Sequence, residues 1–146
     1  MDVKNKRVVV TGAASGIGKA LCEAFYHAEA QSVIAVDMNL DGAQETADSV
    51  NGIAIQANVG NEKDIITLIK KADEHVDGTD IFCSNAGIGG VPGFFEVEAS
   101  DWQNIWDVNV QSHIFAAKHV LPQMIERGEG YLVNTCLLYT SPSPRD

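Results

Sequence analysis

The feature that most constrains this chain is an alternation. Apolar runs of strand length at residues 7–11, 32–37, 53–57, 80–84 and 131–135 are separated by helical patterns. The helical stretches cover residues 16–30, roughly 41–50 and 62–75, and a long pattern that Ser100 caps and that runs through Leu121. Ile65, Ile66, Leu68 and Ile69 fall on one apolar side of the third helix, and Trp102, Trp106 and Phe115 suit a packed face of the fourth. Crossovers of this length make neighbouring strands parallel and right-handed. The expected fold is therefore α/β, a three-layer doubly wound parallel sheet of the Rossmann type. No internal repeat is visible.

A glycine-rich turn stands directly after the first strand: Thr11-Gly12-Ala13-Ala14-Ser15-Gly16-Ile17-Gly18. Glycine at such a turn lets backbone approach a ligand, and the helix that follows directs free N–H groups and a positive dipole end at the same spot. That suits a pyrophosphate, although the turn alone would also serve as a plain chain reversal. Asp37 narrows the choice. It ends the second strand 19 residues after Gly18, where a carboxylate can accept hydrogen bonds from both adenosine ribose hydroxyls and repel a 2′-phosphate. Neither Ser15 nor Met38 supplies a positive charge that would attract that phosphate, so the expected cofactor is NAD rather than NADP.

Composition excludes several alternatives. With 146 residues, 45% of them hydrophobic and 21% charged, the chain suits one globular domain. A formal net charge of −10 leaves no basic surface for a duplex, so no nucleic-acid partner is expected. No apolar run reaches membrane-spanning length, and the start of the chain lacks the pattern of a signal peptide. Cys22, Cys83 and Cys136 are far apart and share no CxxC or Cys/His spacing, which argues against a disulfide framework and a metal site. A reducing cytoplasm is the expected compartment. His27, His75, His113 and His119 read as solvated helix residues; His113 and His119, six apart, face different ways.

Several motifs in one order resemble the short-chain dehydrogenase/reductase family across residues 7–135. Thr11–Gly18 matches its TGxxxGxG turn, and Asn58-Val59 after the third strand matches its adenine contact, usually Asp-Val. Ser84-Asn85-Ala86-Gly87 matches its NNAG, with serine in place of the first asparagine. Trp106-Asp107-Val108-Asn109-Val110 matches the segment carrying the family's active-site asparagine, and Asn109 lies 24 residues beyond Asn85. The resemblance implies a strand order of 3-2-1-4-5 and adds Ile17, Met38, Asn58, Val59, Asn85, Ala86 and Gly87 to Gly12, Ser15, Gly16, Gly18 and Asp37 as cofactor contacts. Asn109 becomes the catalytic-site candidate: in the family this residue interrupts a long helix and its backbone holds a water that relays protons to the active-site lysine. The implied activity is hydride transfer between NAD(H) and a secondary alcohol or ketone. Family members commonly assemble as dimers or tetramers.

The resemblance stops before the catalytic serine and the Tyr-x-x-x-Lys pair. Leu137 stands where the serine is expected, and Tyr139 is followed four residues later by Ser143 rather than lysine. Residues 136–146, CLLYTSPSPRD, carry neither strand nor helix periodicity and spell the translation of a transposase-type sequencing adapter. The expectation is an incomplete NAD-binding domain over residues 1–135 with a non-native, disordered tail, itself inactive. If the tail is natural, the chain is instead a catalytically dead NAD-binding or regulatory module. A structural partner that uses the fold without nucleotide is a third reading. Substrate identity is not legible, beyond a hint of apolar character in residues 88–95.

Overall fold

The computed structural model describes residues 2–89, 93 and 95–135. Among them, β1 (Arg7–Thr11), β2 (Ser32–Asp37), β3 (Ile53–Gln56), β4 (Ile81–Ser84) and β5 (Tyr131–Asn134) form one parallel sheet in the order β3-β2-β1-β4-β5. Between them run α1 (Gly16–His27), α2 (Leu40–Ser49), α3 (Glu62–Val76), α4 (Ala99–Trp106) and α5 (Ser112–Arg127). A π-helical turn, Asp107–Gln111, joins the last two.

The side-chain period of a strand builds two cores from one sheet. Val8, Val10, Ala35 and Cys83 point to the face covered by Cys22 of α1 and Ala47 of α2. Val9, Ile34, Val36 and Phe82 point to the opposite face, under Leu68 of α3 and Val120 and Met124 of α5. Central strands buried on both sides must be apolar throughout, which is why β1, β2 and β4 read as continuous rather than alternating runs.

The amino-terminal edge of the sheet is pinned by charge. Asp80 is buried, and its Oδ2 accepts from the backbone N–H and Nε of Arg7 at 2.9 and 2.8 Å, while its Oδ1 accepts from Arg7 Nη2 at 2.6 Å. Burial alone would raise this carboxyl, but the Arg7 hydrogen bonds and charge outweigh it and hold the group below the ordinary carboxylate range.

Several boundaries and faces differ from the sequence reading. The first helix stops at His27 rather than residue 30, because Glu29 takes a left-handed conformation (φ 61°) from which its carbonyl meets Asn5 N–H. Glu98, not Ser100, precedes the first turn of α4, and its backbone N–H donates to Asp101 Oδ2 at 2.9 Å. The long helix does not end at Leu121. It passes through Pro122 to Arg127 and closes on Gly128 in the left-handed conformation (φ 73°), held by Val120 and Met124 in the core. Ile66 is 46% exposed while Ile65, Leu68 and Ile69 are buried. Phe115 packs on the core as expected, but Trp102 and Trp106 do not: α4 buries none of its residues, and both rings are 53% exposed. The sequence reading of residues 136–146 as a tail lies outside the described residues.

Candidate functional site

At the carboxyl edge of the sheet, one buried hydroxyl gathers two strand ends. Thr11 Oγ1 donates to the Cys83 carbonyl at 3.2 Å and accepts from the N–H groups of Asn85 and Ala86 at 3.0 and 3.1 Å. That exhausts a hydroxyl's one donor and two acceptor sites. Asn85 completes the tie: its Nδ2 donates to the Thr11 carbonyl at 3.0 Å, and its Oδ1 accepts from Thr135 Oγ1 at 3.0 Å. The ends of β1, β4 and β5 are thereby fixed to one another.

The glycine turn is fixed from below and open above. A Cβ on Gly18 would lie 1.9 Å from the Gly12 carbonyl oxygen, so only glycine lets α1 start this close to the end of β1. Gly16 is the converse case. Its φ is +54°, and a Cβ there would meet nothing within 4 Å, because the space faces the cleft. Ser15, at the cap of α1, makes no side-chain capping bond, and the first turn carries no acidic residue. The helix therefore presents its N–H groups and positive end to the cleft. From beneath, buried Thr46 of α2 donates to the Ala13 carbonyl at 2.8 Å, and Gly42 brings α2 so close that a Cβ there would lie 2.8 Å from Ala14 Cβ.

Asp37 joins this turn to β2. Its Oδ2 accepts from Ala14 N–H and its Oδ1 from Asn39 N–H, each at 3.0 Å. Each oxygen keeps a second lone pair for a ligand hydroxyl.

The cleft so formed has a volume of about 720 Å³. Of the residues singled out in the sequence, Gly12, Ser15, Gly16, Ile17, Gly18, Asp37, Asn85, Ala86, Gly87 and Asn109 all line it. Met38, Asn58 and Val59 do not. Met38 is 62% exposed and follows Asp37 directly, whereas Val59 is buried in the core. Asn58 accepts from Gly60 N–H at 3.0 Å and, through its own N–H, donates to Asp64 at 3.1 Å, so it shapes the entry to α3. The end of β3 does reach the Asp37 segment, since Ala57 N–H donates to the Asp37 carbonyl at 3.1 Å and Gln56 Nε2 to that of Met38 at 3.0 Å.

Asn109 sits inside the π-helical turn, where the long helix is interrupted. Its side chain does not face solvent: Nδ2 donates to the Ile88 carbonyl and Oδ1 accepts from Ile88 N–H, both at 2.8 Å. A neutral amide carries a donor and an acceptor side by side, so it can pair with both the C=O and the N–H of one residue. It fastens the start of the loop after β4 to the helix. Farther along that loop Phe95 is 97% exposed, and residues 90–92 and 94, also part of the expected pocket wall, lie outside the described residues.

Two histidines correct the sequence reading. His119 is half-buried, its Nε2 2.9 Å from Glu62 Oε1, which also takes Lys118 Nζ at 2.7 Å. Lys118 first, then His119, holds the Glu62 carboxyl below its ordinary range. His113 lines the cleft with Val110, Ile114, Asn134 and Thr135, none of them foreseen. The available signal was its place four residues after Asn109, which puts both on one helix face; comparing His113 with His119 hid it. His27 and His75 are exposed, as expected.

A family model of short chain dehydrogenases matches residues 6–141. The chain belongs to the short-chain dehydrogenase family. It is 33% identical over 140 residues to glucose 1-dehydrogenase 2 of Bacillus subtilis, a match covering 91% of this chain and 54% of that protein. It is 29% identical to 2-dehydro-3-deoxy-D-gluconate 5-dehydrogenase of Formosa agariphila, across 92% of this chain and 53% of the relative. Among solved structures, a hydroxysteroid dehydrogenase from Escherichia coli superposes with a TM-score of 0.83 at 28% identity, over 91% of this chain and 57% of the other. A candidate short-chain alcohol dehydrogenase from Sinorhizobium meliloti gives 0.88 at 28% identity, over 97% and 58%. This short-chain dehydrogenase chain thus spans about half the length of the curated relatives it matches. Their sheet is of the kind found here, with strand order 3-2-1-4-5 in this chain.

Proposed function

We propose that the cleft binds NAD, and that the chain is the cofactor-holding part of an oxidoreductase acting on a secondary alcohol or ketone. The observation that carries this reading is the convergence on one cleft of the open N-terminus of α1, the outward-facing Gly16 backbone and the Asp37 carboxylate. The residues fit the group. N–H groups at the start of α1 are donors for a pyrophosphate, and the space above Gly16 is one that a Cβ would intrude upon. Asp37 offers two acceptor oxygens to a ribose diol and repels a further phosphate, which favours NAD over NADP. Met38 and Ile17, 62% and 55% exposed, offer apolar surface to the adenine.

When bound, the nicotinamide supplies the hydride acceptor or donor. This chain's own contribution is placement. The Thr11–Asn85–Thr135 tie fixes the floor of the cleft, and Asn109 holds Ile88 and so the wall beside it. Proton transfer to or from the substrate oxygen belongs to the serine and Tyr-x-x-x-Lys expected in a continuation of this sequence. The relatives carry sugar, sugar-acid and steroid names, so the substrate class is left at secondary alcohol or ketone. A homo-oligomer in the cytoplasm is part of the same reading; among the described residues, no helix is long and apolar enough to cross a membrane.

A second reading, an NAD-binding module without catalysis, is favoured by Leu137 at the serine position. The genomic locus separates the two. Replacing residues 136–146 with the encoded continuation should add a serine near position 137 and a Tyr-x-x-x-Lys beyond it, and give NAD-dependent alcohol oxidation. Changing that tyrosine to phenylalanine should abolish turnover and leave NAD affinity within about twofold. A locus that encodes this same tail, or a continuation without Tyr-x-x-x-Lys, overturns the dehydrogenase reading in favour of the module.

A further inference from the structure

Among the described residues, two ionisable side chains line the cleft, Asp37 and His113. They stand apart: Asp37 ends β2, while His113 lies on α5 against the end of β5, three strands away across the sheet. His113 is half-buried, with Nδ1 3.3 Å from Asn134 Oδ1. An amide oxygen can only accept, so Nδ1 carries the hydrogen and any added proton goes to Nε2. Imidazole is the side chain that ordinarily changes charge between about pH 5 and 8.

This inference rests on the cofactor reading above. With the adenosine half at Asp37 and the pyrophosphate at the start of α1, the end of the cleft left for the nicotinamide half would be the one lined by Gly87, Asn109 and His113. The two oxidation states differ there by one unit of charge: the oxidised ring is a cation and the reduced ring is neutral. We propose that His113 makes the cleft discriminate between oxidised and reduced cofactor according to pH, its protonated imidazole disfavouring NAD+ and leaving NADH almost untouched.

Among the described residues, the neighbours of His113 in the cleft carry no charge that would compensate it. Asn134 and Thr135 on β5 and Asn109 on the π-helical turn are neutral. Lys118 and His119, farther along α5, turn to Glu62 of α3, and Asp37 is at the far end of the cleft. Two like unit charges sharing a half-solvated cleft repel by an amount that corresponds to roughly a five- to tenfold change in affinity. By reciprocity, NAD+ must make His113 harder to protonate by the same factor.

Calorimetric titration of this chain with NAD+, NADH and ADP-ribose at about pH 5.5 and pH 8 tests the proposal. NAD+ should bind about five- to tenfold more weakly at the lower pH relative to NADH, with ADP-ribose following NADH. His113→Asn, which retains an amide donor for Asn134, should remove that difference. Should the variant fold poorly, the imidazole resonance of His113 in the unaltered chain gives the same answer: its titration midpoint should fall with NAD+ and stay with ADP-ribose. A NAD+/NADH affinity ratio independent of pH, or a dependence that survives in His113→Asn, overturns the proposal and leaves the cofactor reading intact. Failure of ADP-ribose to bind at either pH overturns both.

Discussion

The two sides of the sheet are built to different standards. On the β1–β2 side nearly every backbone approach is sterically determined: Gly18 against Gly12, Gly42 against Ala14, Thr46 on Ala13 and Asp37 on Ala14. On the β5 side the strand pairs only with β4 among the described residues, its end residues Tyr131 and Asn134 are exposed and Leu132 and Val133 only half-buried, and α4 buries none of its residues. The first side holds a ligand-shaped turn rigidly without help. Among the described residues, the second leaves apolar surface uncovered, Trp102 and Trp106 included.

The comparison can be broken at its stiffest point. Gly18→Ala forces a methyl onto a backbone carbonyl that cannot swing aside, so a loss of about 4 kcal/mol or more is expected, and the chain should be unfolded by circular dichroism. Gly16→Ala costs only about 1–2 kcal/mol, because the site has room and the penalty is conformational. The fold should survive that change while nucleotide affinity falls at least tenfold. Equal stability of the two variants would mean that the turn is not the packed object described here.

A smaller effect is expected where charge rather than sterics does the pinning. Asp80→Ala strands a half-buried Arg7 and should cost about 3 kcal/mol at neutral pH by urea denaturation. Because the folded carboxyl is held below its unfolded value, the stabilisation is present above about pH 4 and is lost as pH falls through the lower, folded value. The variant and the parent should therefore converge in strong acid. On the open side, this chain should self-associate through β5, and Tyr131→Lys, at a half-exposed edge position, should reduce light scattering at a cost of less than about 1 kcal/mol. A sharp monomeric unfolding transition for the unaltered chain would remove the distinction between the sides.

The same division governs what could be read from sequence. β1 and β2 were legible to the residue because strands buried on both faces are apolar without interruption, and the cleft residues around the glycine turn are contiguous in the chain. Legibility failed where a contact joins distant segments. The Asn109–Ile88 pairing, the place of His113 beside Asn134 and the His119–Glu62 pair each link elements 21 to 57 residues apart. Periodicity also misplaced the end of α5, since Pro122 reads as a stop signal that tertiary packing overrides, and it placed two tryptophans in a core that no described element supplies.

The central claim is that the Asp37 side of the cleft selects NAD, and the ratio of NAD to NADP affinity tests it most directly. Titration of this chain with each dinucleotide should give NAD at least about tenfold tighter binding, because Asp37 would face the 2′-phosphate and no cation stands at position 15 or 38. Asp37→Ser combined with Met38→Arg should reverse the preference. Equal affinities in the unaltered chain, or a preference that the double substitution leaves in place, would contradict the account.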